Sequence, residues 1–371
     1  MKRVLLCFKM PHGNDYVGGI AVILKQYIEN KDLFYDNEVD AELFDFSDDS
    51  VKCSNRHLRT LLLARRAAGS LARTIKQNNI DIVHIHTSRQ LVLLKDVYIA
   101  SEIKKHCNVE IIFSIHYGDA DKILPGNGLL KKYCISGMKK YVDRIIFLSE
   151  QTKKEFDAIL GTDVGSSVLY TFHNVDMPAE RLQEKTEAIK NKDKTGFLFI
   201  GSIDRRKGII DLLKACTQLK DDSYILHICG GEPDADIKEE YRALINRLGD
   251  RVIEHGYVSG AEKERVFLAS DVMILPSYGE GMPIVIMEAM AYAQGMILTK
   301  VGAIPEIIEE RENALYVTPG NTDELAAAMS EMINDKTALT AMAENNIRKS
   351  RDYDIRSNIK NLCDIYKGNM E

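Results

Sequence analysis

Strand-like apolar runs alternate with helix-like segments in two successive series along this chain of 371 residues. Runs such as residues 4–8 and 272–275 are short and continuously apolar, which is typical of strands buried on both faces of a parallel sheet. Apolar residues recur at helical spacing in other segments, as in residues 55–77. Short connections between such segments favour right-handed βαβ units. The alternation therefore predicts an α/β protein with two doubly wound parallel-sheet domains.

Composition suggests where the two domains divide. Residues 178–195 are rich in Lys, Glu, Asn and Asp, and we interpret them as a linker between a first domain at 1–177 and a second domain at 196–349. We expect the last helical segment, about 350–371, to pack back on the first domain. Its apolar stripe consists of Ile355, Ile359, Leu362 and Ile365.

Cysteine usage and hydropathy favour a cytoplasmic protein. The seven cysteines are scattered without a Cys-x-x-Cys pair, which indicates reduced thiols and neither a disulfide framework nor a zinc site. No apolar run approaches the length of a membrane span, and the run at residues 4–8 is too short for a signal peptide.

Charge is distributed unevenly along the chain. The formal net charge is −6, yet residues 52–154 hold 19 Lys and Arg against 8 Asp and Glu, a balance of +11 that leaves −17 for the remainder. The split favours a basic face that meets an anionic partner such as a membrane, although a solvated face without a partner explains it equally well. Residues 129–142 have the pattern of a basic amphipathic helix, which could lie on an anionic membrane or dock with its lysines outward. Its lysines are Lys131, Lys132, Lys139 and Lys140.

A strand–loop–helix unit beginning at residue 272 carries two carboxylates. Glu280 lies in the glycine-rich loop, and Glu288 lies in a helix predicted to begin at Pro283 and to stop at Gly295. Eight helical residues separate two Cα atoms by roughly 12 Å. Glycosidase carboxylates lie about 5–10 Å apart, so the spacing argues weakly against such a pair.

The start of that helix is suited to an anion. The backbone N–H groups of Gly281 and Met282 lie between the two glutamates, where the helix dipole favours negative charge. The spacing thus fits a long ligand with a phosphate between two carboxylates. A solvated loop glutamate and an ordinary helical glutamate remain the alternative.

Further candidate residues follow directly after predicted strands. Ligands of doubly wound sheets bind at the carboxyl ends of strands, so we expect a ligand in the cleft between the domains, with the linker as a hinge. The candidates at these ends are Gly18, Gly19, His116, Lys207, Gly230, Gly231 and Glu280. His84 and His86 alternate on one strand and face the same side, and we interpret them as packing beneath the cleft in preference to metal ligands.

In these motifs the chain resembles the retaining glycosyltransferases of family 4, which have the GT-B fold of two Rossmann-like domains facing a central cleft. The segment from Glu280 to Glu288 is similar to the family's Glu-x7-Glu signature, and residues 301–306 to its Gly-Gly-x-x-Glu segment. Residues 200–208 resemble the segment that grips the donor diphosphate. The resemblance spans about residues 1–370.

The resemblance implies transfer of a sugar from a nucleotide diphosphate sugar to a glycan or lipid-linked acceptor, with retained anomeric configuration. The implied process is bacterial surface polysaccharide biosynthesis. The resemblance favours a UDP-sugar over a GDP-sugar as the donor. It implies that Lys207 neutralises the diphosphate, that Glu280 lies at the sugar hydroxyls, and that His116 contacts the sugar or the acceptor. Glu288 would bind the donor ribose. The other implied donor contacts are Gly18, Gly19, Ser202, Arg205, Arg206, Gly230, Tyr257, Gly281, Met282, Pro283 and Ile284.

One residue departs from the family pattern. The family often has Arg directly after the glycine of the diphosphate segment, where this chain has Ser202, a single weak donor in place of a planar cation. Arg205 or Arg206 could compensate from the same loop. We expect no metal cofactor, because Lys207 and the helix ends already supply positive charge and because the Asp-x-Asp tripeptides are frequent by chance. They stand at 119–121, 234–236 and 352–354.

Other activities compete with glycosyl transfer. A nucleotide-sugar epimerase or a glycan phosphorylase could share the fold, and so could a non-catalytic binding or scaffold protein. The extended signature favours transfer over epimerisation, no cofactor lysine context supports a phosphorylase, and intact Glu280, Glu288, Lys207 and His116 argue against a decayed site. We expect no nucleic-acid partner.

Overall fold

The protein divides into two compact units. The structure, a computed structural model, describes residues 1–8, 19–46, 56–118, 120–161, 164–219 and 223–369. One unit combines Met1–Tyr170 with Ile355–Glu371, and the other is Thr171–Asp354. Within the described residues each unit contains one six-stranded parallel sheet, which confirms the predicted α/β class.

The first unit is built on the sheet order β2-β1-β3-β4-β5-β6. Every neighbouring pair in this sheet is parallel. Because β2 and β3 flank β1 on opposite sides, the chain reverses direction across the sheet between β1 and β3. The strands are β1 Lys2–Phe8, β2 Val39–Asp45, β3 Ile82–Thr87, β4 Glu110–Ile115, β5 Arg144–Phe147 and β6 Gly165–Val168.

Helices cover the sheet of the first unit and bury its apolar strands. All six residues of β3 are buried, as expected for a central parallel strand. The last helix, α16, returns to this unit and buries Ile355, Ile359, Leu362 and Ile365. The helices are α1 Gly19–Glu29, α2 Lys31–Asp36, α3 Arg56–Asn78, α4 Leu91–His106, α5 Ala120–Ile123, α6 Gly128–Tyr141, α7 Glu150–Leu160 and α16 Ile355–Lys367.

The second unit repeats this architecture with the order β12-β11-β10-β7-β8-β9. Its pairs are again parallel, and the reversal lies between β7 and β10. The strands are β7 Thr195–Ile200, β8 Tyr224–Cys229, β9 Val252–Gly256, β10 Val272–Leu275, β11 Gly295–Thr299 and β12 Leu315–Val317. The helices are α8 Ala179–Asn191, α9 Ile209–Gln218, α10 Lys238–Leu248, α11 Gly260–Ala269, α12 Ile284–Ala291, α13 Ile304–Ile307, α14 Thr322–Asn334 and α15 Lys336–Ser350.

The structure corrects the linker prediction at 178–195. Most of this stretch is α8, which belongs to the second unit and buries Lys185, Thr186 and Ile189. The Lys185 ammonium donates to the carbonyls of Phe267 at 2.8 Å and Tyr292 at 2.5 Å, and burial lowers its pKa to about 7. The charged composition therefore belongs to the outer face of a helix, not to an extended connection.

The helix predicted from Pro283 to Gly295 is shorter than expected. Pro283 is the N-cap of α12, so the helix begins one residue later, and it ends at Ala291. Gly295 instead begins β11, where a Cβ atom would lie 2.4 Å from Leu339 Cδ1 of α15. That glycine is thus required by close packing of α15, not as a helix stop.

Candidate active site

The loop after β7 presents Lys207 at the reversal point of the second sheet. Asp204 caps a short 3-10 turn at Arg205–Lys207 by accepting from the Lys207 N–H at 2.8 Å. Gly208 then takes a left-handed φ of 72°, and a Cβ atom there would lie 2.2 Å from the carbonyl oxygen of Pro276, directly after β10. The turn therefore needs glycine to bring the loop after β7 against the loop after β10.

Lys207 and Glu280 form an ion pair across these two loops. The ammonium lies 2.7 Å from Oε1 of Glu280, and the two side chains are only 12% and 7% exposed. An enclosed pair of this kind is weakly screened by solvent. The structure thus brings together two of the three predicted catalytic residues.

Arg206 joins this pair, whereas Arg205 turns away from it. Arg206 donates to the Gly279 carbonyl at 3.0 Å and lies 3.8 Å from Glu280 Oε1. Arg205 instead pairs with Asp236 at 3.1 Å and with Glu240 at 3.4 Å. The cation nearest the Lys207–Glu280 pair is therefore Arg206.

Ser202 lies at the end of β7 and donates to Asp204 Oδ2 at 2.6 Å. This hydrogen bond supports the carboxylate that caps the 3-10 turn. In this arrangement the Ser202 hydroxyl stabilises the loop that carries Lys207, and its proton points toward Asp204.

The loop containing Glu280 is held by the segment after β11. Ala303 N–H donates to the Gly281 carbonyl at 3.0 Å. Gly302, with φ of 57°, approaches so closely that a Cβ atom would lie 2.2 Å from the Glu280 carbonyl oxygen. This loop leads into α12, whose N-cap Pro283 has no N–H of its own, and the first N–H groups of a helix generally lack intrahelical acceptors four residues back.

Glu288 on α12 is paired with a lysine that the sequence analysis missed. Lys263 of α11 lies 2.6 Å from Oε1 of Glu288, whose side chain is 8% exposed. The other oxygen, Oε2, is buried and has no hydrogen-bond partner among the described residues. Glu288 therefore retains an unused acceptor, which suits a ligand hydroxyl.

An open pocket of about 360 Å³ lies at the ends of β8 and β9. Two predicted donor contacts, Gly230 and Tyr257, both line it. On its wall, Arg242 donates from Nη1 to both carboxylate oxygens of Glu254, at 2.8 and 3.0 Å. The exposed Tyr257 ring forms one wall of this pocket, and Ile203 and Ile228 are also among its lining residues.

His116 follows β4 in the first unit and belongs to a row of imidazoles. Its Nε2 lies 2.9 Å from Nδ1 of His86, whose ring centroid is 4.2 Å from that of His84, with the two rings tilted by 34°. Burial lowers the pKa of His116 to about 4 and that of His84 to about 3. His116 is therefore neutral at physiological pH. The packing interpretation of His84 and His86 agrees with their burial.

The two glycines predicted before α1, the first Asp-x-Asp tripeptide and the predicted absence of a metal site remain to be placed in the structure. Gly19 is the first residue of α1, and Gly18 lies outside the described residues, as does residue 119 of the first Asp-x-Asp tripeptide. Within the described ranges, no three His, Cys, Asp or Glu side chains converge on a position that could hold a metal ion. None of the helices in those ranges is both long and apolar enough to cross a membrane.

Two glycosyltransferase family models match the chain. "Glycosyl transferases group 1" matches residues 180–349, and "Glycosyltransferase Family 4" matches residues 37–177. Together they cover most of both units. The protein is therefore a glycosyltransferase, an enzyme that transfers glycosyl groups. It belongs to the family 4 type, as the sequence resemblance predicted.

The chain is also similar to individual bacterial proteins. An uncharacterised 41.2 kDa protein in the cps region of Klebsiella pneumoniae is 24% identical over 90% of this chain and 93% of its own length. A protein named as a teichuronic acid biosynthesis glycosyltransferase, TuaC of Bacillus subtilis, is 24% identical over 72% of this chain and 65% of its own length.

The fold is that of GT-B glycosyltransferases. Sucrose-phosphate synthase of Thermosynechococcus elongatus superposes with a TM-score of 0.76 at 17% identity, covering 100% of this chain and 99% of that one. The Anabaena protein Alr3699/HepE, solved in complex with UDP, has a TM-score of 0.73 at 16% identity, covering 99% of this chain and 100% of that one. Both matches include the two parallel-sheet units.

Proposed function

We propose that this glycosyltransferase moves a sugar from a nucleotide diphosphate sugar, preferably a UDP-sugar, to a glycan or lipid-linked acceptor of bacterial surface polysaccharide, with retained anomeric configuration. The observation that carries the proposal is the enclosed Lys207–Glu280 pair beside Arg206, at the reversal point of the second sheet. The cps-region and teichuronic acid relatives support the polysaccharide context, and the UDP complex of the Anabaena protein supports the nucleotide.

The second unit, in this proposal, binds the donor. The diphosphate lies over the start of α12, where N–H groups and the helix dipole favour an anion. Lys207 and Arg206 supply the cationic charge, and the ammonium can bind a phosphate oxygen while it still donates to Glu280, because it has three protons. No metal is required for this neutralisation.

Glu288 and the pocket at β8 and β9 bind the nucleoside. The unpartnered Oε2 of Glu288 accepts from the ribose hydroxyls, while Lys263 keeps the other oxygen engaged. The base lies against Gly230 and Tyr257 in the open pocket. Glu280, held by Lys207, lies at the sugar end and accepts from sugar hydroxyls.

In the proposed reaction the bond from the anomeric carbon to the diphosphate oxygen breaks, and the departing nucleoside diphosphate takes the electron pair. The acceptor oxygen forms the new bond to the same carbon, on the face that the leaving group vacates. Its proton passes to the departing phosphate, so atoms and charges balance. Fixed positive charge aimed at the leaving group lowers the barrier because that charge develops in the transition state.

The first unit, in this proposal, binds the acceptor and rests on an anionic membrane. Its helices α3, α4 and α6 each follow a strand of the parallel sheet, so their N-terminal ends lie at the carboxyl edge of that sheet. These three ends carry a set of exposed apolar side chains that we call the apolar rim. The apolar rim consists of Leu61, Leu62, Leu91, Val92, Leu129, Leu130 and Tyr133.

Lysines accompany the apolar rim on α6. Leu129 is 79% exposed, and Lys131 and Lys132 beside it are also exposed. Apolar side chains that enter the headgroup region, flanked by cations that meet anionic lipid, are the arrangement of an interfacial helix. This surface supports a peripheral position at the inner face of the plasma membrane, near a lipid-linked acceptor.

The test is a donor screen with the purified chain. UDP- and GDP-sugars are supplied with and without membrane lipid extract, and release of nucleoside diphosphate and labelled glycan are both measured. Transfer from a UDP-sugar with an unchanged anomer supports the proposal. A free epimerised sugar with UDP release and no acceptor would favour an epimerase, and no nucleotide binding by calorimetry would overturn donor use altogether.

A further inference from the structure

Three imidazoles lie in a row within the first unit. His84 and His86 both come from β3, and His116 follows the adjacent strand β4. The ring centroids of His84 and His86 are 4.2 Å apart, and those of His86 and His116 are 5.1 Å apart with an interplanar angle of 22°. Because β3 and β4 pair in register, with His86 opposite Ser114, the fold places these rings side by side.

The inner end of the row is fully hydrogen-bonded. His84 Nδ1 lies 2.6 Å from the hydroxyl of Tyr366 on α16, and His84 Nε2 lies 2.7 Å from the hydroxyl of Ser114. One neutral imidazole can donate through one nitrogen and accept through the other, and both hydroxyls can rotate to suit either case. His84 is therefore satisfied as a neutral ring.

His86 is not satisfied at both nitrogens. Its Nδ1 lies 2.9 Å from His116 Nε2, but its Nε2 is buried and finds no hydrogen-bond partner among the described residues. A neutral ring carries one proton, which can sit on only one of these nitrogens. A buried N–H without a partner is rarer in proteins than a buried acceptor without one. The proton of His86 therefore belongs on Nδ1, where it is used.

We propose that His86 is a positioning residue that donates its Nδ1–H to His116 Nε2 and thereby fixes His116 in the Nδ1–H tautomer. His116 then offers a hydrogen-bond donor at Nδ1 and cannot act through Nε2. The role of that donor toward a sugar or acceptor hydroxyl rests on the proposed function, whereas the tautomer itself does not.

The neutral state of the row agrees with this assignment. Burial lowers the pKa of all three histidines, with neighbouring imidazoles adding to the effect at His84 and His86. An imidazolium in this row would face other imidazoles at hydrogen-bonding distance. The chemistry open to His116 is thus donation of a hydrogen bond, not proton transfer from an imidazolium.

The direct test is histidine NMR on the unliganded protein. The chain is labelled with 15N histidine, His116 is assigned by its loss in His116→Asn, and long-range 1H–15N correlations report which ring nitrogen carries the proton. We expect the proton on Nδ1 of His116. A proton on Nε2 of His116 would overturn the proposal, with or without transferase activity.

Two substitutions of His86 separate donation from packing. In His86→Leu the donor is lost, and we expect His116 to shift toward a mixture of tautomers. In His86→Asn the side-chain amide nitrogen takes the place of Nδ1, and we expect the Nδ1–H signature of His116 to be retained. Tyr366→Phe is the matched control, because it removes a hydroxyl at the far end of the row and leaves the His86–His116 contact intact.

Activity then shows what the tautomer does. In the donor screen we expect His86→Leu to lower kcat by about tenfold, the loss of about one hydrogen bond, with His86→Asn close to wild type. Unchanged NMR signals of His116 in folded His86→Leu would contradict the positioning role. If the tautomer follows these expectations but no sugar is transferred by wild type, the proposed function fails and the positioning of His116 stands.

Discussion

Lys207 and Glu280 form a 2.7 Å ion pair although 73 residues separate them in the chain. Lys207 is carried by the turn after β7, and Glu280 by the loop after β10. These strands flank the reversal point of the second sheet, which is where doubly wound sheets bind ligands. The pair therefore marks the position where we expect the charge of the leaving group to be neutralised.

Replacing Lys207 should slow transfer more than it weakens donor binding. In Lys207→Ala the ammonium that we propose to face the developing phosphate charge is lost, and removal of one such group costs about 100-fold in kcat. Steady-state kinetics with the preferred donor measures kcat, and calorimetry with UDP measures binding. Lys214→Ala, which removes an exposed lysine paired with Glu240, is the control and should match wild type. Equal kcat in both variants would contradict the role of Lys207.

Glu288 should govern donor affinity. Glu288→Ala removes the charged acceptor that we propose for the ribose hydroxyls, and hydrogen bonds to charged groups contribute about 1.5–3 kcal/mol each. We therefore expect UDP to bind at least about tenfold more weakly, since 1.4 kcal/mol is a factor of about ten. Glu264→Ala, on α11 and paired with Arg181, is the control.

Lys263 and Glu288 should be coupled in the same binding measurement. Their atoms lie 2.6 Å apart, so a double-mutant cycle with Lys263→Met is expected to be non-additive by about 0.5–3 kcal/mol. Additive effects on UDP affinity would mean that Lys263 does not act through Glu288.

Gly208 should be required for stability. Alanine there would have an unfavourable φ near 72° and a Cβ atom 2.2 Å from the Pro276 carbonyl oxygen. Strained backbone of this kind costs about 1–3 kcal/mol. Chemical denaturation of Gly208→Ala should show a corresponding loss of unfolding free energy. Gly231→Ala is the control because no atom lies within 4 Å of the added Cβ, and a loss of equal size there would refute the argument.

The histidine row should make the fold sensitive to acid. The pKa of His84 is lowered to about 3 and that of His116 to about 4, while an unfolded histidine titrates near pH 6.5, about its ordinary value. Below about pH 6.5 these histidines bind protons in the unfolded chain but stay neutral in the folded chain. The unfolding free energy should therefore fall as pH falls, by up to about 1.4 kcal/mol per pH unit for each such group.

The measurement is the denaturation midpoint between pH 7.5 and pH 5. Other histidines, such as the partly buried His227, contribute to the slope in the same direction because burial lowers the pKa of that residue as well. The difference in slope between wild type and His84→Asn isolates the share of His84. An identical slope in the two proteins would show that His84 is not buried as a neutral ring.

The apolar rim and its lysines should bind anionic vesicles. Lys131→Gln with Lys132→Gln should reduce sedimentation with phosphatidylserine-containing vesicles, since each basic residue near such a surface contributes about 1 kcal/mol. Leu129→Ser should reduce it further by removing an apolar contact. Lys190→Gln with Lys194→Gln, which changes net charge equally on the second unit, is the control. Equal sedimentation of both double variants would mean that α6 docks on the protein with its lysines outward and does not lie on the membrane.

Much of the fold could be predicted because buried parallel strands leave a strong sequence signal. Strand β10 is continuously apolar and buried throughout, and its bounds Val272–Leu275 are those of the predicted apolar run, whereas β1 begins two residues before the predicted run 4–8. The edge strands β2 and β6 were missed because one face of an edge strand can remain polar, as in Val39–Asp45 and Gly165–Val168. The sequence predicts a linker at 178–195, where the structure has α8, because the outer face of this helix is charged.

The sequence by itself determined the fold class and predicted Lys207, Glu280, Glu288 and His116 as candidate site residues, because strand ends and glycine-rich loops are local patterns. Only the tertiary structure decided which charges meet. Lys263 lies on a different helix from Glu288, and His86 lies on β3 whereas His116 follows β4, so neither contact has a signal at fixed spacing. The fold likewise directs Arg206 toward Glu280 and Arg205 toward Asp236, although the two arginines are adjacent in the chain. Pairing between elements distant in sequence depends on sheet order and register, and those are fixed only when the whole core packs.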